Sequence, residues 1–302
     1  MSDEAPRLSG VFPMIVTPFR DDGALDAPQL PPLVSYVLAE GCQGVSGLGL
    51  GGEAGALSTG ERLRVAESII NAASGMPVIV GCSSGETEVS ISLGLHAAEV
   101  GAAAIMVAPP PRPELSEPEL LEHFTRVAAA VRPLPVMVQD APAFIGVELG
   151  SRFVRMLIDE SPNVRYAKTE AVPAADRVAE LVALGSIGVF GGHGALYLLD
   201  VLQAGATGVI PGCDLAGLYA QLWRSHSGGR HDEARVLFTA MLPLIVEQFQ
   251  SLDYFVAASK LVLTRLGVLR SPSVRSGVRI SGLGERLLLD HARAAGLELP
   301  SS

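Results

Sequence analysis

The chain of 302 residues is 48% hydrophobic and 18% charged with 33 glycines, which excludes a disordered segment, a coiled coil and a disulfide-stapled miniprotein and points to one large domain with at most an appendage. Its formal net charge is −10 and its arginines are scattered singly, so nucleic acid and anionic membranes are not expected partners. Of 22 basic residues only two, Lys168 and Lys260, are lysine, and a chain that has drifted to arginine keeps lysine mainly by chance or for chemistry.

The N-terminus, MSDEAPRLSG, is acidic where a secretion signal would be basic and then apolar, and no apolar run reaches the roughly 20 residues that span a bilayer. A cytoplasmic protein is expected. Short β-branched apolar runs then recur at residues 11–18, 44–50, 77–82, 104–109, 134–142, 164–170, 187–192 and 205–212, with amphipathic helical patterns such as 61–73 and 90–100 between them. Strands apolar on both faces suit a parallel sheet covered by helices, and eight such units predict a (β/α)8 TIM barrel over residues 1–227. From residue 228 the strand signal stops, and helical periodicity at 234–266 and 284–295 predicts a C-terminal helical extension over residues 228–302.

After the second predicted strand, Gly47-Leu48-Gly49-Leu50-Gly51-Gly52 fits the GxGxxG spacing of a dinucleotide turn. The next helix starts later, however, at the capping-box pair Ser58 and Glu61, so the glycines do not open a helix onto a pyrophosphate. Successive unhindered N–H groups at a strand end instead make a nest for a carboxylate, or the glycines simply let the chain turn. Cys42, Cys82 and Cys213 form no CxxC pair, so they read as buried thiols; neither a metal site nor a cofactor is called for.

Lys168 stands at the C-terminal end of the sixth predicted strand, the face where barrel enzymes gather catalytic groups. A dry pocket favours its neutral amine, a nucleophile toward carbonyls whose iminium acts as an electron sink; the alternative is a lysine merely paired with Glu170. Lys260, in the apolar helical stretch 255–263, reads as a snorkelling or interface residue. A further possibility is a phosphorylated substrate held by the loops 191–194 and 211–212, although neither carries a cation.

These residues resemble the dihydrodipicolinate synthase and N-acetylneuraminate lyase family of Schiff-base aldolases. The likeness rests on Thr17-Pro18-Phe19 with Asp22-Gly23, Gly49-Leu50-Gly51-Gly52-Glu53 in place of GTTGE, Leu57-Ser58 with Glu61-Arg62, Gly81, Val138-Gln139-Asp140-Ala141-Pro142 in place of a YNxP motif, Ala167-Lys168-Thr169-Glu170 in place of IKE, and the 205–210 run in place of GAxGxI. The resemblance implies a (β/α)8 barrel, a homodimer or homotetramer, no cofactor, and an iminium on Lys168 with pyruvate or another 2-oxo acid. It further implies Gln139 as the catalytic partner in the tyrosine's place, Gly51 and Gly52 at the substrate carboxylate, and Phe144 and Ile210 against the substrate.

The departures are specific. Gln139 cannot act as an ordinary acid or base, the GTTGE hydroxyls are gone at Leu50 and Gly51, Pro110 and Pro111 stand where synthases carry a tyrosine, and Phe144 falls near their carboxylate-binding arginine. Gly194 and Ala195 replace the acidic pair of sialate lyases. Lysine-pathway synthase and sialate lyase activities are therefore not expected. The proton is left to His193, Asp140, Glu170 or a water held by Gln139, and Phe144 suggests a hydrophobic aldehyde portion. The expected function is a lyase, aldolase or dehydratase of a 2-oxo acid; the competing one is an impaired family member that binds an oxo acid as sensor or scaffold.

Overall fold

The computed structural model describes residues 8–299. Nine short strands run in parallel: β1 (Gly10–Val11), β2 (Met14–Ile15), β3 (Val45–Gly47), β4 (Val78–Gly81), β5 (Ala104–Val107), β6 (Val136–Asp140), β7 (Val164–Thr169), β8 (Gly188–Gly191) and β9 (Gly208–Val209). Their spatial order is β1-β9-β8-β7-β6-β5-β4-β3-β2. Each of the eight predicted runs contains a strand, except that the first is split in two. Pro13 has no N–H to give a ladder, so the chain changes partners there: Gly10 and Val11 pair with β9, Met14 and Ile15 with β3. A bridge from Met14 to Gly212 completes the ring. The result is the (β/α)8 barrel with a helical C-terminal extension.

The side-chain period of two sorts the barrel into layers. Phe12, Met14, Ile79, Met106, Met137, Tyr166, Phe190 and Ile210 fill the interior, while Val80, Ile105, Val107, Val136, Val138 and Val189 pack outward. Outside them lie α1 (Leu30–Ala39), α2 (Thr59–Ala73), α3 (Thr87–Glu99), α4 (Glu117–Ala130), the single turn α5 (Pro142–Ile145), α6 (Ser151–Glu160), α7 (Ala174–Val182), α8 (Leu198–Gln203) and α9 (Ala216–Ser227). The capping box read at Ser58 forms, with Ser58 Oγ accepting from Glu61 N–H and Glu61 receiving the Ser58 N–H. All three cysteines are buried free thiols.

The extension holds α10 (His231–Gln248), α11 (Leu252–Arg265) and α12 (Gly282–Ala294). The helical stretch expected at 234–266 breaks after Gln248, because Ser251 starts a new helix by accepting the Tyr254 N–H. No helix of the described residues is long and apolar enough to cross a membrane.

Lys260 departs from its expected role. It does not snorkel: it is wholly buried, its Nζ lies 2.5 Å from Glu53 Oε1 and donates to Ser273 O at 2.8 Å, and it sits 4.3 Å from the centre of the Phe19 ring. Arg275 lies 4.4 Å from the same ring and pairs with Glu61, whose carboxyl it pulls down to about 2. These contacts fasten the segment after α11 to the loop after β3.

Candidate active site

The alternation that places Met137 and Tyr166 inside the barrel carries Gln139 and Lys168 inward one layer further toward the C-terminal face. They are direct partners across the β6–β7 ladder. Lys168 Nζ lies 2.6 Å from Glu170 Oε1, and the same oxygen accepts the Gln139 Nε2–H at 2.9 Å. All three residues are buried. An amine, a carboxylate and an amide thus meet at the barrel mouth, with Gln139 in the wall of a cleft of about 570 Å³ and Lys168 and Glu170 behind it.

Gly192 makes this packing possible. A Cβ there would fall 2.7 Å from Lys168 Cε and 2.5 Å from Glu170 Cγ. Because displacing reacting groups by about 1 Å costs on the order of 10²-fold in rate, Gly192→Ala is expected to keep its fold by circular dichroism and lose about that factor in turnover. Turnover within threefold of the parent would show that the two side chains have room to yield.

The loop after β3 is tightly fitted. A Cβ on Gly49 would lie 2.4 Å from Met14 Cε, and Thr17 Oγ1 donates to Gly52 O at 2.6 Å. Of the two glycines expected at a substrate carboxylate, Gly52 has its N–H donated to Gly49 O at 3.0 Å, within the turn. Among the described residues the N–H groups of Leu50 and Gly51 have no partner. The following helix α2 begins only at Thr59, so the glycines offer no helix terminus to a dinucleotide. Phe144 is in the cleft wall, whereas Ile210 packs into the barrel interior and does not reach it.

Of the other proton-transfer candidates, Asp140 points outward. Its Oδ1 accepts the Leu149 N–H at 2.9 Å, its Oδ2 is buried without a partner, and burial pushes its pKa up to about 6. His123, between α3 and α4, is the opposite case, a buried histidine bonded to Thr87 Oγ1 at 2.9 Å and pulled down to about 4, mainly by burial. The raised Asp140 contributes stability that is full below about pH 4 and lost as pH rises through about 6; the depressed His123 contributes stability that is full above about 6.5 and lost as pH falls toward about 4. The two slopes oppose each other. Asp140→Asn should therefore gain up to about 3 kcal/mol at pH 7, nothing at pH 4, and expose the acid-side loss from His123; denaturant melts across that range check it, and a uniform shift at every pH would contradict it.

His193 Nδ1–H donates to the Glu170 backbone carbonyl at 2.9 Å, which fixes the proton on Nδ1. The loops considered for a phosphate are filled: Gly192 by Lys168 and Glu170, Gly194 by the Phe249 ring, Gly212 by Asp214 and Phe255. Among the described residues no group of three or more His, Cys, Asp or Glu side chains is arranged to hold a metal.

Barrel, extension and the lysine–glutamate pair at the C-terminal face define a class that comparison with known proteins makes definite. Residues 7–281 match the Dihydrodipicolinate synthetase family, and the chain belongs to that family. It is 34% identical over 251 residues to the L-2-keto-3-deoxyarabonate dehydratase of Azospirillum brasilense, covering 81% of each chain. It is 36% identical over 202 residues to the 4-hydroxy-tetrahydrodipicolinate synthase of Methanothrix thermoacetophila, covering 67% of this chain and 68% of that one. Among solved structures, the dihydrodipicolinate synthase of Rhodopseudomonas palustris superposes with a TM-score of 0.89 at 27% identity, covering 95% and 97% of the two chains. A prophage protein of the same family from E. coli K12, in complex with pyruvate, gives 0.88 at 25% identity, covering 95% and 98%.

Proposed function

We propose that the protein is a Schiff-base-forming lyase or dehydratase that acts on a 2-oxo acid, and that Lys168, Glu170 and Gln139 carry the chemistry. The observation that carries this reading is the 2.6 Å contact between Lys168 Nζ and Glu170 Oε1, with Gln139 bonded to the same oxygen. A carboxylate so close can take the lysine proton and free the amine, which attacks the C2 carbonyl. Glu170 returns that proton to the hydroxyl of the carbinolamine, which leaves as water to give the iminium, and the freed carboxylate then takes a proton from C3 to give the enamine. From there the same carboxyl group, now protonated, delivers its proton to a departing C4 hydroxyl in a dehydration, or to the aldehyde oxygen when the enamine adds to an aldehyde.

Gln139 moves no proton in this scheme; its amide orients Glu170. The Leu50 and Gly51 N–H groups hold the substrate carboxylate. The 34% identity to a named 2-keto-3-deoxy acid dehydratase supports elimination of water as one outcome for the enamine. Residues 1–227 and 228–302 serve as catalytic barrel and structural extension in this reading, in a cytoplasmic homo-oligomer.

The test is to incubate the protein with pyruvate and borohydride and map the adduct by mass spectrometry. Hydride addition to the iminium fixes one pyruvate on Lys168, and a protein left unmodified at Lys168 by a panel of 2-oxo acids would end the Schiff-base reading. The second reading, a binding protein without efficient turnover, draws on the lack of any tyrosine among the described residues that line the cleft. An adduct that forms without exchange of the pyruvate methyl protons would favour it.

A further inference from the structure

The cleft outside Gln139 has a rigid aromatic side. Phe144 packs with its ring centre 5.7 Å from that of His193 and 5.9 Å from that of Phe249, and those two stand 5.1 Å apart. His193 is held by its bond to the Glu170 carbonyl. It also begins three successive residues, His193, Gly194 and Ala195, in the left-handed region at φ of 57°, 59° and 64°. Non-glycine residues hold that conformation only where their surroundings enforce it. Gly194 is needed for the packing as well as the turn, because a Cβ there would lie 2.3 Å from Phe249 Cδ2. The wall is therefore built from mutually packed rings on a constrained turn.

Leu48, Leu50, Ala108 and Pro109 add further hydrocarbon to the cleft lining. Several polar groups that line the cleft already have protein partners. Ser83 Oγ accepts the Ala108 N–H and Ser84 Oγ the Glu86 N–H. Glu53 binds Lys260 and the Arg275 N–H, and Arg275 is bidentate on Glu61. Arg62 donates to Gly81 O and Ser83 O and has no carboxylate within 4 Å among the described residues. A substrate tail rich in hydroxyls would lose water here and regain few hydrogen bonds, whereas an apolar tail loses nothing and removes hydrocarbon from water.

We propose that the substrate carries an apolar tail, aryl or branched alkyl, that packs on Phe144, so that the protein favours hydrophobic 2-oxo acids over polyhydroxylated sugar acids. This rests on the Schiff-base reading, and the experiment separates the two. Borohydride trapping is titrated with four acids that share one head: pyruvate, 2-oxo-4-phenylbutanoate, 2-oxo-4,5-dihydroxypentanoate and 2-oxoglutarate. In each case the amine condenses with the C2 carbonyl, water leaves, and borohydride adds hydride to C2, giving a secondary amine of defined mass on Lys168.

The phenyl compound is expected to reach half-maximal labelling at a concentration at least tenfold below that of the dihydroxy compound. Phe144→Ser should narrow that ratio to about threefold, and Phe144→Leu, which keeps the wall apolar, should retain most of it. Equal labelling or a preference for the dihydroxy compound overturns the inference while leaving the Schiff base standing. A preference for 2-oxoglutarate also overturns it and makes Arg62 the determinant. Absence of labelling by all four removes the Schiff-base reading and this inference with it.

Discussion

Glu170→Gln is expected to form the pyruvate adduct under borohydride but to exchange the pyruvate methyl protons with deuterated solvent about 10²- to 10⁴-fold more slowly than the parent, the usual contribution of a positioned acid–base group. The glutamine has nearly the shape of Glu170 and can still meet Gln139, so the β6–β7 corner is preserved. What it lacks is a site for the C3 proton. Exchange within tenfold of the parent would hand the proton to another group. Lys168→Arg serves as the control, since a guanidinium forms no iminium with either acid or ketone.

Lys260→Met should cost about 3–5 kcal/mol of stability, the range found when one partner of a buried ion pair is removed. Glu53 is left with its Oε1 facing an apolar helix, while its Oε2 keeps only the Arg275 N–H at 2.9 Å. Because Arg275 and Ser276 also line the cleft, the loss should loosen substrate binding together with the fold. The double variant Glu53→Gln/Lys260→Met should recover most of the loss, because removing both charges leaves nothing stranded. Urea melts of the two variants decide it: a double variant as unstable as Lys260→Met alone would mean that Lys260 acts through the Phe19 ring and Ser273, not through Glu53.

The barrel was legible because each strand announces itself locally by a short apolar run. Its one irregularity, the split first strand, was marked by Pro13, but only the pairing shows that the two halves serve different neighbours. The site was legible in part. Lys168 stood out by composition and Gln139 by its departure from a motif, yet their contact depends on register. Val136 pairs with Val164, and continuing that offset would set Gln139 beside Ala167; a shift between Val136 and Met137 sets it beside Lys168 instead. No residue type marks that shift. Lys260 was misread for a related reason: the stretch 255–263 around it is buried throughout, and its carboxylate lies in a loop 207 residues away in the chain. Gly192 and the spent N–H of Gly52 are matters of a few tenths of an ångström, which spacing does not encode.

The split first strand bears on how the chain is made. β1 finds its partner at Gly208 and Val209, about 200 residues downstream, while β2 finds β3 within about 30. During synthesis the growing sheet can therefore extend outward from β2 and β3, but β1 waits as an unpaired edge until nearly the whole barrel has left the ribosome. Contacts of such long range are slow to form, and unpaired parallel edges are sticky while they wait. The pairing order therefore puts closure of the ring after synthesis of β9. Slowing translation just before β9 would lengthen the time the nascent chain spends open and should shift the newly made protein toward chaperone-bound and aggregated forms.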